Sequence, residues 1–149
     1  MQTLLVKEKL HCDAIAGMPR SGDQLAKALA GLLQKEFIIL EWEGSDLHPT
    51  ALKAPPSSEV HEVLLVDGLF DTAQSKLKAL AVLGEAGIAV SDVMVLVDCE
   101  GSGYKELEAN GCTLHSLFTI TRLLNTYFDS GEITPEFRTE TLRRLDYKT

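Results

Sequence analysis

The chain has 149 residues, of which 45% are hydrophobic and 24% are charged. That length suits one domain with a continuous core, so we expect a single domain over residues 1–149. The formal net charge of −8 at pH 7 argues against a nucleic-acid partner, because phosphate backbones bind basic surfaces. No apolar run in the sequence reaches the roughly 20 residues that cross a bilayer, so no membrane partner is expected.

The cysteines and the N-terminal segment bear on the compartment. Cys12, Cys99 and Cys112 are scattered, and no two have the spacing of a zinc or redox motif. The first residues, MQTLLVKEKLHCD, combine a short apolar run with several charges, which is unlike a signal peptide. We therefore expect reduced thiols and a cytoplasmic protein.

The first third of the chain predicts two strands that flank a helix. A small-residue strand is expected at Asp13–Met18, followed by the turn PRSG, and a helix at Asp23–Gln34. The next strand, Glu36–Trp42, contains the continuous apolar run Phe37–Leu40, which predicts burial on both faces.

A polar, proline-containing interval, Glu43–His61, follows. It is long for a structureless connection in a compact domain, so it is either functional or mobile. The sequence VLLVDGLFDTAQS then predicts a buried strand that Asp67 closes, and a helix that starts near Thr72. That helix is expected to end at Gly87, with an inward face formed by Leu77, Leu80, Ala81 and Gly84.

The remainder of the chain continues the same alternation. It predicts a strand at Asp92–Asp98, a short helix ending at Gly111, a strand at 113–120 and two helices, at Thr121–Phe128 and Pro135–Leu145. Such alternation predicts a single doubly wound α/β domain with a mostly parallel sheet of about five strands and helices on both faces. Ligands of such sheets bind beyond the carboxyl ends of the strands, where the segments GMPRSGD and DGLFDTAQS both fall.

Three segments resemble type I phosphoribosyltransferases, and orotate phosphoribosyltransferases in particular. VLLVDGLFDTAQSK resembles the family signature, in which an apolar strand with two acids leads into a Thr/Gly-rich loop and a helix. AGMPRSGDQLAKALA resembles the family's pyrophosphate loop, and VLVDCEGSGYKELEANGCTLHSLFTITRLLN resembles the C-terminal half of the orotate enzymes. The resemblance covers roughly Asp13 to Pro135 and implies a phosphoribosyltransferase-like core without a large hood.

The resemblance also implies a ligand and the residues that bind it. The family's substrate is phosphoribosyl pyrophosphate with magnesium bound to its pyrophosphate, and family members form homodimers. By this resemblance Asp67 holds the ribose, and Arg20 with the loop from Pro19 through Ser21 to Gly22 holds the pyrophosphate. The 5′-phosphate loop, at a helix N-terminus that favours anions, comprises Thr72, Ala73, Gln74 and Ser75. Each role has a simpler alternative. Asp67 could simply end a strand, and Arg20 could be a solvated loop charge.

Several residues depart from the family pattern. Gly68 stands where the second acid is expected, Ala73 and Gln74 replace loop glycines, and Cys99 replaces the arginine that grips orotate. The lysine-rich catalytic loop would lie within 44–60, which offers only Lys53. The resemblance therefore makes orotate an unexpected substrate.

The sequence allows two interpretations of Asp71. Followed by Thr72, it resembles the purine-type enzymes, in which an acid at this place handles a proton of the base and acts as a general base. Asp71 is also a good helix N-cap in its own right.

Two functions from different classes follow. One is a binding module for a phosphoribosyl compound or nucleotide, with catalysis lost. The other is an active phosphoribosyltransferase that joins a purine or related base to phosphoribosyl pyrophosphate. A weaker third alternative is a scaffold that binds no ligand and only dimerises.

Overall fold

The computed structural model describes residues 1, 10–43 and 49–146. The N-terminal residues used above to argue against a signal peptide lie mostly outside these ranges, as do residues 44–48 of the long polar interval. The strands are β1 (Ala14–Gly17), β2 (Glu36–Glu41), β3 (Ala51–Leu52), β4 (Glu62–Phe70), β5 (Ala89–Asp98) and β6 (Thr113–Thr119). The helices are α1 (Asp23–Leu33), α2 (Gln74–Glu85), α3 (Tyr104–Ala109), α4 (Ile120–Asp129) and α5 (Pro135–Asp146).

The strands form one sheet in the order β3-β2-β1-β4-β5-β6. All neighbours are parallel except β2 and β3, which pair antiparallel through Leu40 with Leu52 and Glu41 with Ala51. The mostly parallel α/β sheet is therefore confirmed, and β3 adds a short sixth strand at one edge. The strand order reverses between β1 and β4, which is the switch point where such sheets bind ligands.

Helices cover both faces of the sheet, as predicted. On one face, Ala26, Leu29 and Ala30 of α1 pack against Leu64 and Met94 of the sheet. On the other face lies a larger cluster, which includes Ala79 and Leu83 of α2, Leu107 of α3 and the strand residues Ala16, Ile38, Leu65, Val93 and Val95. Burial on both faces explains why β4 and β5 consist largely of apolar residues.

Two details of the strand prediction are wrong. β2 is not buried on both faces, because Ile39 is 37% exposed and Phe37 is half-buried. The position of β2 near the sheet edge, with only the two-residue β3 beyond it, explains this exposure. β4 does not end at Asp67 but continues to Phe70, so Asp67 lies within the strand.

Helix α2 also differs from its prediction. It begins at Gln74 rather than near Thr72, and its buried residues are Lys76, Ala79 and Leu83. Ala81 and Gly84, which were expected on the inward face, are exposed. Leu77 and Leu80 are partly buried and pack against the core, so the predicted inward face is confirmed for these two residues and wrong for Ala81 and Gly84.

The helix ends follow the expected local chemistry. Gly87 and Gly111 adopt φ values of 76° and 77° after α2 and α3, a conformation that glycine adopts without strain. The Thr119 side chain accepts a hydrogen bond from Arg122 N at the start of α4. No helix in the described ranges is long and apolar enough to cross a membrane.

Candidate functional site

The first loop, Met18–Gly22, connects β1 to α1 in a tight turn. Met18 N donates to Val66 O at 2.8 Å, and Gly22 N donates to Met18 O at 2.9 Å. A Cβ atom added at Gly22 would overlap Val66 O and approach Met18 N to 2.5 Å, so this position requires glycine. Arg20 has φ 71°, which is uncommon for a residue with a side chain. The backbone of the first loop is therefore held in one conformation.

Asp67 is bound on all sides by the surrounding structure. It is 5% exposed, and its Oδ1 accepts hydrogen bonds from Ser21 Oγ and from Gly68 N. Its Oδ2 lies 2.6 Å from Lys76 Nζ. Asp67 thus lies next to the first loop, and its contact with ribose stays a prediction. The alternative that it ends the strand is wrong, because β4 continues to Phe70.

Lys76, on α2, is the charged partner of Asp67 and links α2 to β4. Its Nζ also donates to Leu69 O at 2.8 Å and lies 5.6 Å from the centre of the Phe70 ring. The side chains of Lys76 and Asp67 are only 5% and 7% exposed. Nothing in the sequence patterns singles out Lys76; the only available signal was a lysine nine residues after the motif acid, in the first turn of an apolar-periodic helix.

The second loop, Asp71–Ala73, leads into α2, whose first two residues are Gln74 and Ser75. The N-cap of α2 is Ala73, whose methyl side chain makes no capping hydrogen bond. The prediction that Asp71 is the N-cap residue is wrong in position, because Asp71 lies two residues before Ala73. The first N–H groups of a helix have no partner within the helix, so the start of α2 presents N–H groups that can donate hydrogen bonds to an anion.

The turn after β5 supports the second loop from behind. Cβ atoms added at Gly101 and Gly103 would overlap the backbone of Asp71 and of Ala73. Cys99 N donates to Phe70 O at 2.7 Å, which ties the beginning of this turn to the end of β4. These two glycines, which lie in the segment that resembles the C-terminal half of the orotate enzymes, allow the close approach.

A cavity of about 430 Å³ opens between the two loops at the carboxyl ends of β1 and β4. It brings together seven of the predicted site residues with Lys76, Met18 and Leu69. The seven are Pro19, Arg20, Ser21, Asp67, Asp71, Thr72 and Ser75. Gly22 and Ala73 are buried beneath the loops and Gln74 is exposed, so none of these three lines the cavity. The Ala73 and Gln74 side chains therefore do not fill the space expected for the phosphate.

Two further positions from the family comparison lie elsewhere. Lys53 lines a separate cavity of about 480 Å³, with Asp23, Glu41, Trp42 and Glu43 among its other lining residues. Lys53 N donates to Ile39 O at 3.0 Å. Cys99 is 9% exposed. Neither residue lines the cavity between the two loops.

The described residues contain no group of three or more His, Cys, Asp or Glu side chains arranged to hold a metal ion. His115 instead pairs with Asp92 across β5 and β6 at 2.6 Å. The three cysteines form no disulfide, and burial raises the thiol pKa of Cys12 and of Cys112. Buried thiols with raised pKa values are poor nucleophiles.

Burial raises the pKa of two carboxyl groups near the loops, those of Asp23 and Asp98. Desolvation raises the pKa of Asp23 at the start of α1, and its Oδ1 is buried without a hydrogen-bond partner. Desolvation also raises the pKa of Asp98 at the end of β5, although Asp98 Oδ1 accepts from Glu100 N at 2.8 Å.

A doubly wound sheet with a cavity at its switch point places the chain among the α/β proteins whose ligands bind beyond the carboxyl ends of the strands. No protein-family model matches the chain. An orotate phosphoribosyltransferase of Thermoplasma volcanium is 34% identical over 115 residues, covering 76% of this chain and 68% of the relative. The crystal structure of an orotate phosphoribosyltransferase from Aeropyrum pernix matches with a TM-score of 0.71 at 25% identity, covering 84% of this chain and 71% of that one.

A second solved structure is that of Mycobacterium tuberculosis H37Rv orotate phosphoribosyltransferase in complex with 5-phospho-alpha-D-ribosyl 1-diphosphate. It matches with a TM-score of 0.64 at 20% identity and covers 81% of this chain and 70% of that one. The chain belongs to the type I phosphoribosyltransferase family and lies close to the orotate phosphoribosyltransferases. It spans 61–68% of the length of the first curated relatives that it matches.

Proposed function

We propose that this chain binds a small phosphorylated ribose compound in the cavity between its two loops, and that it does not turn over orotate. The observation that carries the proposal is the convergence of the seven predicted residues on one cavity. The start of α2 supplies N–H donors for the 5′-phosphate, and Thr72 and Ser75 add hydroxyls. The phosphoribosyl ligand in the Mycobacterium tuberculosis structure supports the same chemical class.

The ribose contact in this proposal falls to Asp67. A carboxylate has about four lone-pair sites, and Ser21, Gly68 and Lys76 already use three of those on Asp67. One site remains for a ribose hydroxyl. Arg20 extends from the first loop and supplies a positive charge at the cavity rim.

The proposal that orotate is not turned over rests on what the described part of the cavity lining lacks. Among the described residues, the lining contains no equivalent of the arginine that grips orotate and no lysine-rich loop. Removal of one donor that stabilises transition-state charge typically lowers kcat by about 10²–10³. Two such losses together are expected to leave no detectable product from orotate and phosphoribosyl pyrophosphate in a coupled spectrophotometric assay.

A thermal-shift screen tests the binding proposal. The probes are ribose 5-phosphate, nucleoside monophosphates and phosphoribosyl pyrophosphate, each with and without magnesium. A probe at 100 times its dissociation constant stabilises the fold by about 2.7 kcal/mol, roughly 5–10 °C for a chain of this size. Asp67→Ala is expected to abolish the shift, and Lys78→Met, an exposed change on α2, is expected to preserve it. If no probe shifts the wild-type transition, the proposal fails.

Asp71 supports a second candidate function, transfer of phosphoribose to a purine or related base. Asp71 lines the cavity beside Thr72, where a carboxylate can accept a proton from the base. Asp71→Asn removes the carboxylate that would act as general base and keeps the size of the side chain. Product formation from adenine or hypoxanthine that falls at least about a hundredfold in Asp71→Asn supports the candidate, whereas an unchanged rate excludes this role for Asp71.

We further propose a homodimer. Phe118, Tyr127, Phe128 and Phe137, on β6 and the two C-terminal helices, are 37–56% exposed, which leaves apolar area for a partner copy. Sedimentation equilibrium is expected to give twice the 16.3 kDa chain mass, and a monomer at micromolar concentration contradicts this expectation.

A further inference from the structure

The buried pair between Asp67 and Lys76 changes what the cavity accepts. The Lys76 ammonium contacts Asp67 Oδ2 and Leu69 O, while Ser21 and Gly68 N occupy Asp67 Oδ1. Both carboxylate oxygens of Asp67 thus already have partners within the protein, and one lone-pair site remains for a ligand. A cation that belongs to the chain already neutralises the acid that the family motif presents to the ligand.

Magnesium does not fit this arrangement. The ion keeps near-octahedral oxygen coordination and is usually held by one or two carboxylates together with substrate phosphates. Gly68 supplies no second carboxylate, and a Cβ atom there would already lie 3.2 Å from Ser21 Cβ. Magnesium at the one lone-pair site that remains on Asp67 would lie beside the Lys76 ammonium, 2.6 Å from Asp67 Oδ2, and would take the site assigned to the ribose hydroxyl.

The charge of the cavity favours a lightly charged ligand. Its lining contains two cationic side chains, Arg20 and Lys76, and two anionic ones, Asp67 and Asp71. The chain as a whole carries a formal charge of −8. A phosphate monoester adds about −1.5 to −2 at pH 7, which Arg20 and the start of α2 can balance. A pyrophosphate in addition would bring several further negative charges, for which the described lining residues offer no cation beyond Arg20 and Lys76.

We propose that the cavity takes ribose 5′-phosphate monoesters, such as ribose 5-phosphate or a nucleoside monophosphate, without a divalent cation and in preference to phosphoribosyl pyrophosphate. This inference rests on the proposed function and narrows it to one ligand class. In this arrangement the Lys76–Asp67 pair forms the wall against the ribose, the start of α2 faces the phosphate, and the first loop remains without a pyrophosphate.

Isothermal titration calorimetry on the wild-type chain tests the inference. Ribose 5-phosphate is expected to bind with the same dissociation constant in EDTA and in excess magnesium. Phosphoribosyl pyrophosphate is expected to bind at least about tenfold more weakly, a difference of about 1.4 kcal/mol, with no gain from magnesium. Tighter binding of phosphoribosyl pyrophosphate that requires magnesium overturns the inference and leaves the proposed function standing. Absence of binding by every probe overturns both.

Substitution at Lys76 gives a signature that loss of packing alone would not produce. In Lys76→Met the Asp67 carboxylate loses its internal cation, so binding of ribose 5-phosphate in EDTA is expected to weaken at least about tenfold. Magnesium is then expected to recover part of the affinity, although it has no effect on the wild type. Lys78→Met, an exposed lysine on the same helix, is the matched control and is expected to bind as the wild type does.

A double variant keeps the test valid if Lys76→Met does not fold. Asp67→Asn with Lys76→Met removes both charges from the buried pair while it keeps similar side-chain volumes. This variant is expected to bind ribose 5-phosphate weakly and to show no magnesium effect, because the carboxylate is absent. A gain in affinity for ribose 5-phosphate on addition of magnesium to the double variant would contradict the role assigned to the pair.

Discussion

The two loops that enclose the cavity achieve a close backbone approach in opposite ways. The first loop carries its own glycine, Gly22, and packs directly on Val66 of β4. The second loop has no glycine, and its Ala73 is fully buried; the glycines that allow close packing are Gly101 and Gly103, in the turn after β5. Loss of motif glycines therefore does not require loss of a tight loop, because a neighbouring turn can provide the space.

The largest expected effect comes from breaking the ion pair on the side of the second loop. Lys76→Met leaves the buried Asp67 carboxylate without its charged partner, and removal of one member of a buried pair typically costs about 3–5 kcal/mol. Urea denaturation of Lys76→Met measures this loss. Lys78→Met is expected to change the free energy of unfolding by no more than about 0.5 kcal/mol. Equal stabilities of the two variants would show that the pair does not hold α2 to β4.

Substitution within the first loop is expected to have the next largest effect. In Gly22→Ala the new methyl group meets backbone atoms on two sides, and overpacking of this kind typically costs about 1–3 kcal/mol. Gly31→Ala is the matched control, because a Cβ atom at Gly31 in α1 would meet nothing within 4 Å. That change is expected to raise the free energy of unfolding by about 0.5–1 kcal/mol. A Gly22→Ala variant as stable as the wild type would contradict the packing of the first loop.

Substitution of Gly103, in the turn after β5, is expected to cost less stability but also to weaken ligand binding. Gly103→Ala pushes on Ala73 and Thr72, and both sides of this contact are loops that can shift. We expect about 1 kcal/mol of destabilisation and about tenfold weaker binding of ribose 5-phosphate, since the second loop moves. Gly84→Ala, at an open position on α2, is the control. Unchanged affinity in Gly103→Ala would show that the turn after β5 does not position the second loop.

The smallest expected effect concerns Asp98, at the start of the supporting turn. Desolvation raises the pKa of Asp98 in the folded protein above its ordinary value of 3.8. The folded state therefore holds this proton more tightly than the unfolded chain, and the contribution of Asp98 to stability falls as the pH rises from 3.8 through the folded-state pKa.

Asp98→Asn removes this titration and keeps an oxygen that accepts from Glu100 N. The difference in melting temperature between Asp98→Asn and the wild type is expected to increase in favour of the variant from about pH 3.5 to about pH 6. Parallel melting curves over that range would contradict the shift.

Periodicity predicted the fold because burial of parallel strands leaves a strong local pattern. The apolar runs of β4 and β5 and the glycines after α2 and α3 are signals carried by consecutive residues. The exposure of Ile39 and the antiparallel β3 depend on where β2 lies in the sheet, which no local pattern contains.

In the candidate site, too, residues with a local sequence pattern were predicted, whereas residues whose role depends on tertiary contacts were not. Loop residues such as Arg20 and Thr72 were predicted because they follow strands directly and resemble a motif. Lys76 was missed because a lysine in a helix is usually solvated, and its burial depends on the carboxylate of Asp67, which folding brings next to it. The role of Gly103 depends on a contact with Ala73 across two connections, which the sequence alone does not reveal.

A crystal structure of the chain with ribose 5-phosphate in EDTA tests the central claim most directly. The account predicts the phosphate at the start of α2, within hydrogen-bond distance of the hydroxyls of Thr72 and Ser75, with the ribose against Asp67 and the Lys76–Asp67 pair intact. A ligand bound outside this cavity, or a cavity that stays empty at a saturating concentration, would contradict the account.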